Sequence, residues 1–123
     1  MAKILVIDDD EIMNDLIVHL LKKAGYEAEG ARDGSSGLKL MESTAYDLVV
    51  TDIVMPKKEG IETIFAIRKQ SKTLPIIAIS GGGKIGPEQY LHLAHEIGAD
   101  YTFEKPLEKE PFLGAVRECL AGI

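Results

Sequence analysis

Hydrophobic residues along the chain fall into two alternating patterns, short continuous runs and longer stretches with helical spacing. The short runs predict five β-strands, at residues 3–7, 27–31, 47–51, 75–80 and 100–104. Three of these strands contain uninterrupted apolar runs rich in β-branched residues, with the sequences ILVI, LVV and IIAI. Such runs are typical of strands that are buried on both faces of a parallel sheet.

The longer stretches predict five helices, the first of which follows the first strand. Its apolar stripe has a spacing of four residues and consists of Ile12, Leu16, Leu20 and Ala24, widened by Met13 and Ile17. Asp10 is placed to cap the start of this helix, and Gly25 is placed to end it.

The other four helices are predicted from the same kind of spacing. The second covers about residues 33–42 and the third about residues 60–72. The fourth begins at Pro87 and the fifth near Pro111, because proline is favoured in the first turn of a helix. The residues at helical spacing are Leu38 and Met41 in the second helix, Ile61, Ile64, Phe65 and Arg68 in the third, Tyr90, Leu91, Ala94 and Ile97 in the fourth, and Phe112, Leu113, Val116, Cys119 and Leu120 in the fifth.

Strands that alternate with helices through short links predict an α/β fold. We expect a single domain over residues 1–123, with a doubly wound, five-stranded parallel sheet and helices on both of its faces. In sheets of this kind ligands bind beyond the carboxyl ends of the strands, near the point where the strand order reverses. The functional residues should therefore be those that end strands.

Composition narrows the range of functions. The net charge is −6 and the pI is near 5.0, and this acidic balance argues against direct binding of nucleic acid. The apolar runs are too short to cross a membrane, and no signal-peptide pattern precedes the first strand, so we expect a cytoplasmic protein. Cys119 is the single cysteine, and it is expected to be a buried and inert thiol.

Polar side chains follow four of the five predicted strands. They are Asp8, Asp9 and Asp10 after the first strand, Asp52 after the third, Ser80 at the end of the fourth and Lys105 after the fifth. Crowded carboxylates are what a hard cation such as Mg²⁺ requires, because the cation relieves their mutual repulsion. An ammonium and a hydroxyl beside the cation suit a phosphoryl group, and Asp52 can act as a nucleophile that becomes an acyl phosphate.

Four segments, VIDDD, TDIVMPKKEG, ISGG and GADYTFEKP, together resemble the receiver domain of two-component response regulators, the family that includes the chemotaxis response regulator. The resemblance extends over essentially the whole chain. It implies a flavodoxin-like fold with strand order 2-1-3-4-5 and a switch that receives a phosphoryl group from a histidine kinase or phosphotransfer protein. An output domain or a downstream protein would read the switch, and a phosphorylation-induced dimer is compatible with it.

The resemblance also implies a role for individual residues. Asp52 would be the phosphoacceptor, and Mg²⁺ would be held by Asp8, Asp9, Asp52 and the backbone carbonyl of Val54. Ser80 and Lys105 would each contact a phosphoryl oxygen, and Ser80 would shift on activation. Lys105 would form a cis peptide with Pro106, whereas Asp10 matches no ligand position and is interpreted as a helix cap. Such a domain is not an enzyme in the usual sense, because it catalyses only its own phosphorylation and dephosphorylation.

Three positions depart from the family pattern. Thr102 occupies the switch position at which receivers usually carry Tyr or Phe, and Tyr101 lies one residue earlier, so its side chain should point to the opposite face of the sheet. Val54 and Gly82 occupy two positions that tune hydrolysis of the acyl phosphate in the family. Neither side chain can orient a water molecule, which predicts slow autodephosphorylation.

Several alternatives remain open at this point. One is a receiver-like interaction module that is no longer phosphorylated, and another is a small Mg²⁺-dependent phosphohydrolase with Asp52 as nucleophile. The segment at residues 81–86 fits the dinucleotide pattern G-x-G-x-x-G, but it follows the fourth strand and is better interpreted as a loop over the site. His92 and His95 lack a third metal ligand and suit a solvated helix face, and His19 is interpreted as a surface or half-buried residue.

Overall fold

The fold is described by a computed structural model for residues 1–53, 59–80, 92, 95–96 and 98–121. This part of the chain contains one parallel sheet of five strands in the order β2-β1-β3-β4-β5, which confirms the expected topology. The strands are β1 (Lys3–Ile7), β2 (Glu27–Ala31), β3 (Leu48–Asp52), β4 (Ile76–Ser80) and β5 (Tyr101–Glu104). The last three strands each begin one residue later than predicted, and β3 also ends one residue later, so that it includes Asp52.

Four helices lie within the described residues, namely α1 (Glu11–Lys23), α2 (Gly34–Ser43), α3 (Glu59–Gln70) and α4 (Lys109–Leu120). The last of these is the fifth predicted helix, and it begins two residues before Pro111. Most of the fourth predicted helix lies outside the described residues, although His92, His95 and Glu96 are helical. None of the helices described is both long and apolar enough to cross a membrane.

The ends of α1 are set by the two residues that were predicted to set them. The Asp10 carboxylate accepts hydrogen bonds from the backbone N–H of Ile12 at 3.0 Å and of Met13 at 3.2 Å. Gly25 follows the helix with φ +100°, a left-handed conformation that glycine adopts without strain. The link from β1 to α1 therefore runs directly from the first strand end into a capped helix.

The helices cover both faces of the sheet, as predicted. On one face α1 and α4 pack against the sheet, burying Ile17, Leu21, Phe112 and Val116. On the other face α3 buries Ile64 and Ile67, and α2 contributes Leu38, Leu40 and Met41, which are partly buried. The inner strands β1, β3 and β4 are almost entirely closed to solvent, whereas the edge strands β2 and β5 are partly exposed.

The prediction for the buried face of α1 was wrong for Ile12 and Leu16 but is confirmed for Ile17. Ile12 is 81% exposed and Leu16 is also exposed, whereas the residues that face the sheet are Asn14, Ile17 and Leu21. A row of residues spaced by four drifts about 40° around a helix at every step, because four residues exceed one turn of 3.6. The row that begins at Ile12 therefore starts on the solvent side of α1.

The third helix also differs from its predicted pattern. Phe65 is exposed, with the Lys69 ammonium 5.2 Å from its ring centre. Arg68 does not pack in the core but donates hydrogen bonds to the carbonyl oxygens of Leu74 at 2.6 Å and of Gly98 at 2.7 Å, and to the Asp100 carboxylate at 3.0 Å. Its guanidinium thus ties the end of α3 to the segments that enter β4 and β5.

Candidate functional site

The carboxyl ends of β1 and β3 bring two aspartates together. The strands are hydrogen-bonded neighbours with Ile7 opposite Thr51, so the residues that follow lie side by side. Asp8 is 1% exposed and Asp52 is 4% exposed, whereas Asp9 is open to solvent. One carboxylate oxygen from each of the three lies within 4.8 Å of the other two.

Lys105 is the cation that faces this acidic cluster. Its ammonium lies 3.0 Å from Asp52 Oδ2 and 3.3 Å from Asp8 Oδ2. The Lys105 N–H donates to the Ser80 carbonyl at 2.8 Å, which fixes the Lys105 backbone beside the end of β4, and the Lys105–Pro106 peptide is cis, as the resemblance implied. The two nearly buried carboxylates therefore share one ammonium.

The pKa values show what burial and proximity do to this pair of charges. Burial raises the pKa of Asp8, and the neighbouring Asp52 carboxylate raises it further, against the opposing effects of the Asp10 N–H and Lys105. Burial alone would lower the pKa of Lys105, but the hydrogen bond and charge of Asp52, followed by those of Asp8, raise it overall. Lys105 is therefore charged at neutral pH, whereas burial disfavours the charged form of Asp8.

Ser80 ends β4 next to this cluster, and its side chain is fully buried. Within the described part of the chain, its Oγ atom has no hydrogen-bond partner. A buried hydroxyl without a hydrogen-bond partner is unusual, because leaving a buried polar group unsatisfied costs about 1–3 kcal/mol. The hydroxyl is therefore available to a group that enters the site.

The donor set fits a hard divalent cation. Carboxylate oxygens are the ligands that Mg²⁺ prefers, and Asp8, Asp9 and Asp52 offer three that reach a common point. The Asp8 carboxylate is oriented by the Asp10 N–H, which donates to its Oδ1 at 2.9 Å. The predicted backbone ligand Val54 lies outside the described residues, so the residues described supply only the carboxylate part of the set.

The two candidates for the switch position lie on opposite faces of the sheet, as predicted. Thr102 pairs with Ala78, whose side chain belongs to the core under α2 and α3, whereas Tyr101 pairs with Ile77, which belongs to the core under α1 and α4. Tyr101 is 37% exposed and cannot replace Thr102 on its face of β5.

The other residues singled out in the sequence lie outside the cluster. His19 and His95 are exposed, and His92 forms an exposed pair with Glu96 at 3.1 Å. Cys119 is half-buried, and burial raises the pKa of its thiol to about 11, which agrees with an inert side chain. The glycine-rich segment at residues 81–86 lies outside the described residues.

Two residues beside the site have structural roles that the sequence did not predict. Asn14 is buried and binds the ends of β1 and β2, and its only signal in the sequence is a polar residue three positions before a buried isoleucine. Gly60 packs directly against the backbone of Asp52 and Ile53. Its position at the end of the TDIVMPKKEG segment was part of the resemblance, but no packing role followed from that.

Comparison with known proteins places the chain among signalling proteins. It is 35% identical over 120 residues to the transcriptional regulatory protein CpxR of Escherichia coli K12, covering 98% of this chain and 50% of that protein. It is 34% identical to the alkaline phosphatase synthesis transcriptional regulatory protein PhoP of Bacillus subtilis 168, covering 96% of this chain and 48% of that protein. The chain thus spans about half the length of the curated relatives it matches.

Solved structures agree with these relatives. A receiver domain protein from Clostridium thermocellum superposes with a TM-score of 0.89 at 29% identity, over 99% of this chain and 96% of that one. The chemotaxis protein CheY4 of Vibrio cholerae superposes with a TM-score of 0.83 at 32% identity, over 98% and 99% of the two chains. A model of the response regulator receiver domain matches residues 4–117. The chain belongs to the response regulator receiver domain family and is homologous to two-component response regulators.

Proposed function

We propose that this chain is a phosphorylation-dependent switch in which Asp52 accepts a phosphoryl group. The observation that supports this most directly is the position of the Lys105 ammonium, 3.0 Å from Asp52 and 3.3 Å from Asp8 at one strand edge. A structural ion pair would need one acid, whereas here two carboxylates share one ammonium and the carboxylate of Asp9 lies close to both acids. The excess of negative charge is what a site for a cation and a phosphoryl group requires.

The proposed reaction is an in-line displacement at phosphorus. A carboxylate oxygen of Asp52 forms the new bond to phosphorus, the bond to the donor breaks, and the donor atom leaves with its electron pair. Lys105 stabilises the charge on the transferring group. Mg²⁺, when bound by Asp8, Asp9 and Asp52, would supply further neutralisation of that charge. The donor in the cell is proposed to be the phosphohistidine of a histidine kinase or of a phosphotransfer protein.

The response to phosphorylation is proposed to begin at Ser80. Its buried hydroxyl, which has no hydrogen-bond partner among the described residues, can donate to an oxygen of the new acyl phosphate and thereby stabilise the phosphorylated state. The usual aromatic partner of this step is replaced by Thr102, so we expect a weaker change at the surface around β5 and α4. The relatives are transcriptional regulators, and we propose that an output domain or a downstream protein reads this surface.

The test is the intact mass of the full chain after incubation with acetyl phosphate and Mg²⁺. We expect a single phosphoryl adduct in the parent protein, and no adduct in the Asp52→Asn variant or in the presence of EDTA. Asn has nearly the same shape as Asp but is not a carboxylate nucleophile, so the variant removes the acceptor while preserving the fold.

The outcomes separate the alternatives. Mg²⁺ binding without any adduct in a folded protein would favour a phosphorylation-independent interaction module. Sustained hydrolysis of a phosphate ester, with Asp52→Asn inactive, would favour a phosphohydrolase. An adduct that survives in Asp52→Asn would place the acceptor at another residue.

We also predict that the adduct is long-lived. Val54 and Gly82 stand at positions that tune hydrolysis in the family, and neither has a polar side chain that could orient an attacking water. After removal of excess acetyl phosphate, the adduct should decay over many minutes when followed by intact mass. A half-life of seconds would contradict this prediction, and a Val54→Glu variant that decays faster than the parent would support its physical basis.

A further inference from the structure

The buried face of α1 contains one polar side chain, Asn14, which is 6% exposed. Its amide Nδ2 donates to the backbone carbonyl of Asp8 at 3.1 Å and to that of Ala31 at 2.8 Å. These two carbonyls lie where β1 and β2 end. Asn14 therefore contacts the end of the strand that supplies the first acid of the site, and it belongs to the helix that follows that strand.

The backbone of Asp8 is held from two sides as a result. Its N–H donates to the Ala31 carbonyl at 3.1 Å, and its own carbonyl accepts from Asn14. Two residues further along the chain, the Asp10 N–H orients the Asp8 carboxylate, and the Asp10 side chain caps α1. The segment that carries Asp8 and Asp9 is thus fixed between a strand end and the first turn of a helix.

Gly30 provides a second and independent observation. A Cβ atom at this position would lie 2.2 Å from Asn14 Oδ1 and 3.1 Å from Asn14 Cγ. The three atoms nearest to that Cβ, apart from those of the chain neighbours of Gly30, all belong to the Asn14 side chain. β2 therefore leaves space at Gly30 that the amide of Asn14 fills.

We propose that Asn14 is a positioning residue for the acidic cluster, and that it sets the geometry in which Asp8 and Asp9 meet a divalent cation. The inference rests on the proposed function, because it assumes that these carboxylates bind Mg²⁺. Without Asn14 the buried Asp8 carbonyl loses its side-chain donor and the Ala31 carbonyl keeps only the Asp8 N–H, so the segment between β1 and α1 is free to shift. Residues that orient metal ligands from behind typically change metal affinity by 10–100-fold when they are replaced.

The experiment is a calorimetric titration of the full chain with Mg²⁺, without a phosphoryl donor. The proteins are the parent, Asn14→Ala, Gly30→Ala, the double variant, and Ile17→Val as a control from the same buried face of α1. We expect Asn14→Ala and Gly30→Ala each to weaken Mg²⁺ binding by about tenfold or more, and Ile17→Val to leave it within twofold. Urea unfolding of each variant establishes that the proteins titrated are folded.

The double variant tests the contact itself. With alanine at position 14 the Oδ1 atom is gone, so a Cβ at position 30 has space and should add little to the loss. The two effects should therefore be far from additive, as expected for residues in direct contact.

Each alternative outcome has a separate meaning. If the parent binds Mg²⁺ and Asn14→Ala binds equally well, or if Ile17→Val binds as weakly as Asn14→Ala, the positioning role is refuted and the proposed function is not. Additive losses in the double variant would likewise refute the role, because they would show that Gly30 acts independently of Asn14. A folded parent that binds no Mg²⁺ would refute both the metal site and the inference that depends on it.

Discussion

Replacement of Gly60 with alanine is expected to lower the free energy of unfolding by about 3 kcal/mol. A Cβ atom at this position would lie 2.3 Å from the Cα atom of Ile53 and 2.5 Å from the carbonyl oxygen of Asp52. Both are backbone atoms, so no side-chain rotation can relieve the clash. The first turn of α3 and the end of β3 would have to separate, and Asp52 lies at that end.

Urea unfolding measures this effect, and Gly114 provides a matched control. Both glycines lie in helices, but a Cβ at Gly114 would meet only the Arg117 side chain at 3.8 Å. Gly114→Ala is therefore expected to raise the free energy of unfolding by up to about 1 kcal/mol, because alanine restricts the unfolded chain and favours the helix. Equal shifts of the same sign in the two variants would contradict this account, since helix propensity alone would then govern both positions.

The Gly60→Ala substitution should also slow the proposed reaction. Since Gly60→Ala displaces the backbone of Asp52, we expect the phosphoryl adduct to form more slowly in the fraction of protein that remains folded. Gly114→Ala lies in α4, away from that contact, and should form the adduct at the parent rate. The stability effect and the rate effect thus have one cause, namely the close approach of α3 to the end of β3.

The three central strands followed from the sequence because burial on both faces leaves a simple signal, whereas the strand order was implied by the resemblance to receiver domains. Continuous β-branched runs are typical of the middle of such a sheet, and the helix predicted between consecutive strands indicated parallel strands joined by crossovers. The predicted bounds of three strands differ from the observed bounds by one residue, because a hydrophobic run and the hydrogen-bonded part of a strand need not coincide. β3 illustrates this, since its final residue is the buried carboxylate of Asp52.

The buried face of α1 was predicted less accurately than the strands were. Apolar residues lie on several sides of this helix, and exposed Ile12 belongs to the same sequence pattern as buried Ile17. The buried side includes a polar residue, Asn14, whose amide binds two strand ends. Hydrophobic spacing contains no information on that kind of contact, so the pattern favoured the wrong row.

The acids and the lysine of the site were predictable, whereas their supports were not. Asp8, Asp52 and Lys105 stand at strand ends, and parallel strands bring such ends to one edge. The contacts of Arg68 could not be predicted, because its partners include the backbone carbonyls of Leu74 and Gly98, and every residue type has such a carbonyl. The Ser80 hydroxyl has no partner among the described residues, and this property depends on how all the elements pack together.

Asp8→Asn is expected to stabilise the protein while weakening its affinity for Mg²⁺. Burial raises the pKa of Asp8, so the folded protein holds this proton more tightly than the unfolded chain does. The stability linked to that proton is fully present below 3.8, the ordinary pKa, and is lost as the pH rises through the folded pKa. At pH 7 the parent thus contains an unfavourably buried charge, and its removal should add about 1 kcal/mol to the free energy of unfolding.

Urea unfolding in EDTA at several pH values tests the sign of this effect. The advantage of Asp8→Asn over the parent should be largest near pH 7 and should shrink as the pH falls toward 3.8. Asp33→Asn is the control of opposite sign, because the Ser36 N–H holds the pKa of Asp33 below its ordinary value. The stability due to Asp33 is present above that ordinary value and is lost at lower pH, so this variant should not gain stability at neutral pH.

The metal titration of Asp8→Asn completes the test, since a neutral amide replaces one of three carboxylates in the cluster. We expect Mg²⁺ to bind at least tenfold more weakly, because a hard cation loses one anionic ligand. Higher stability together with weaker binding would mean that Asp8 is kept for the cation at the expense of the fold. Lower stability of Asp8→Asn at pH 7 would instead show that the ion pair with Lys105 outweighs the cost of burying the Asp8 charge. The claim that this charge destabilises the fold would then be refuted.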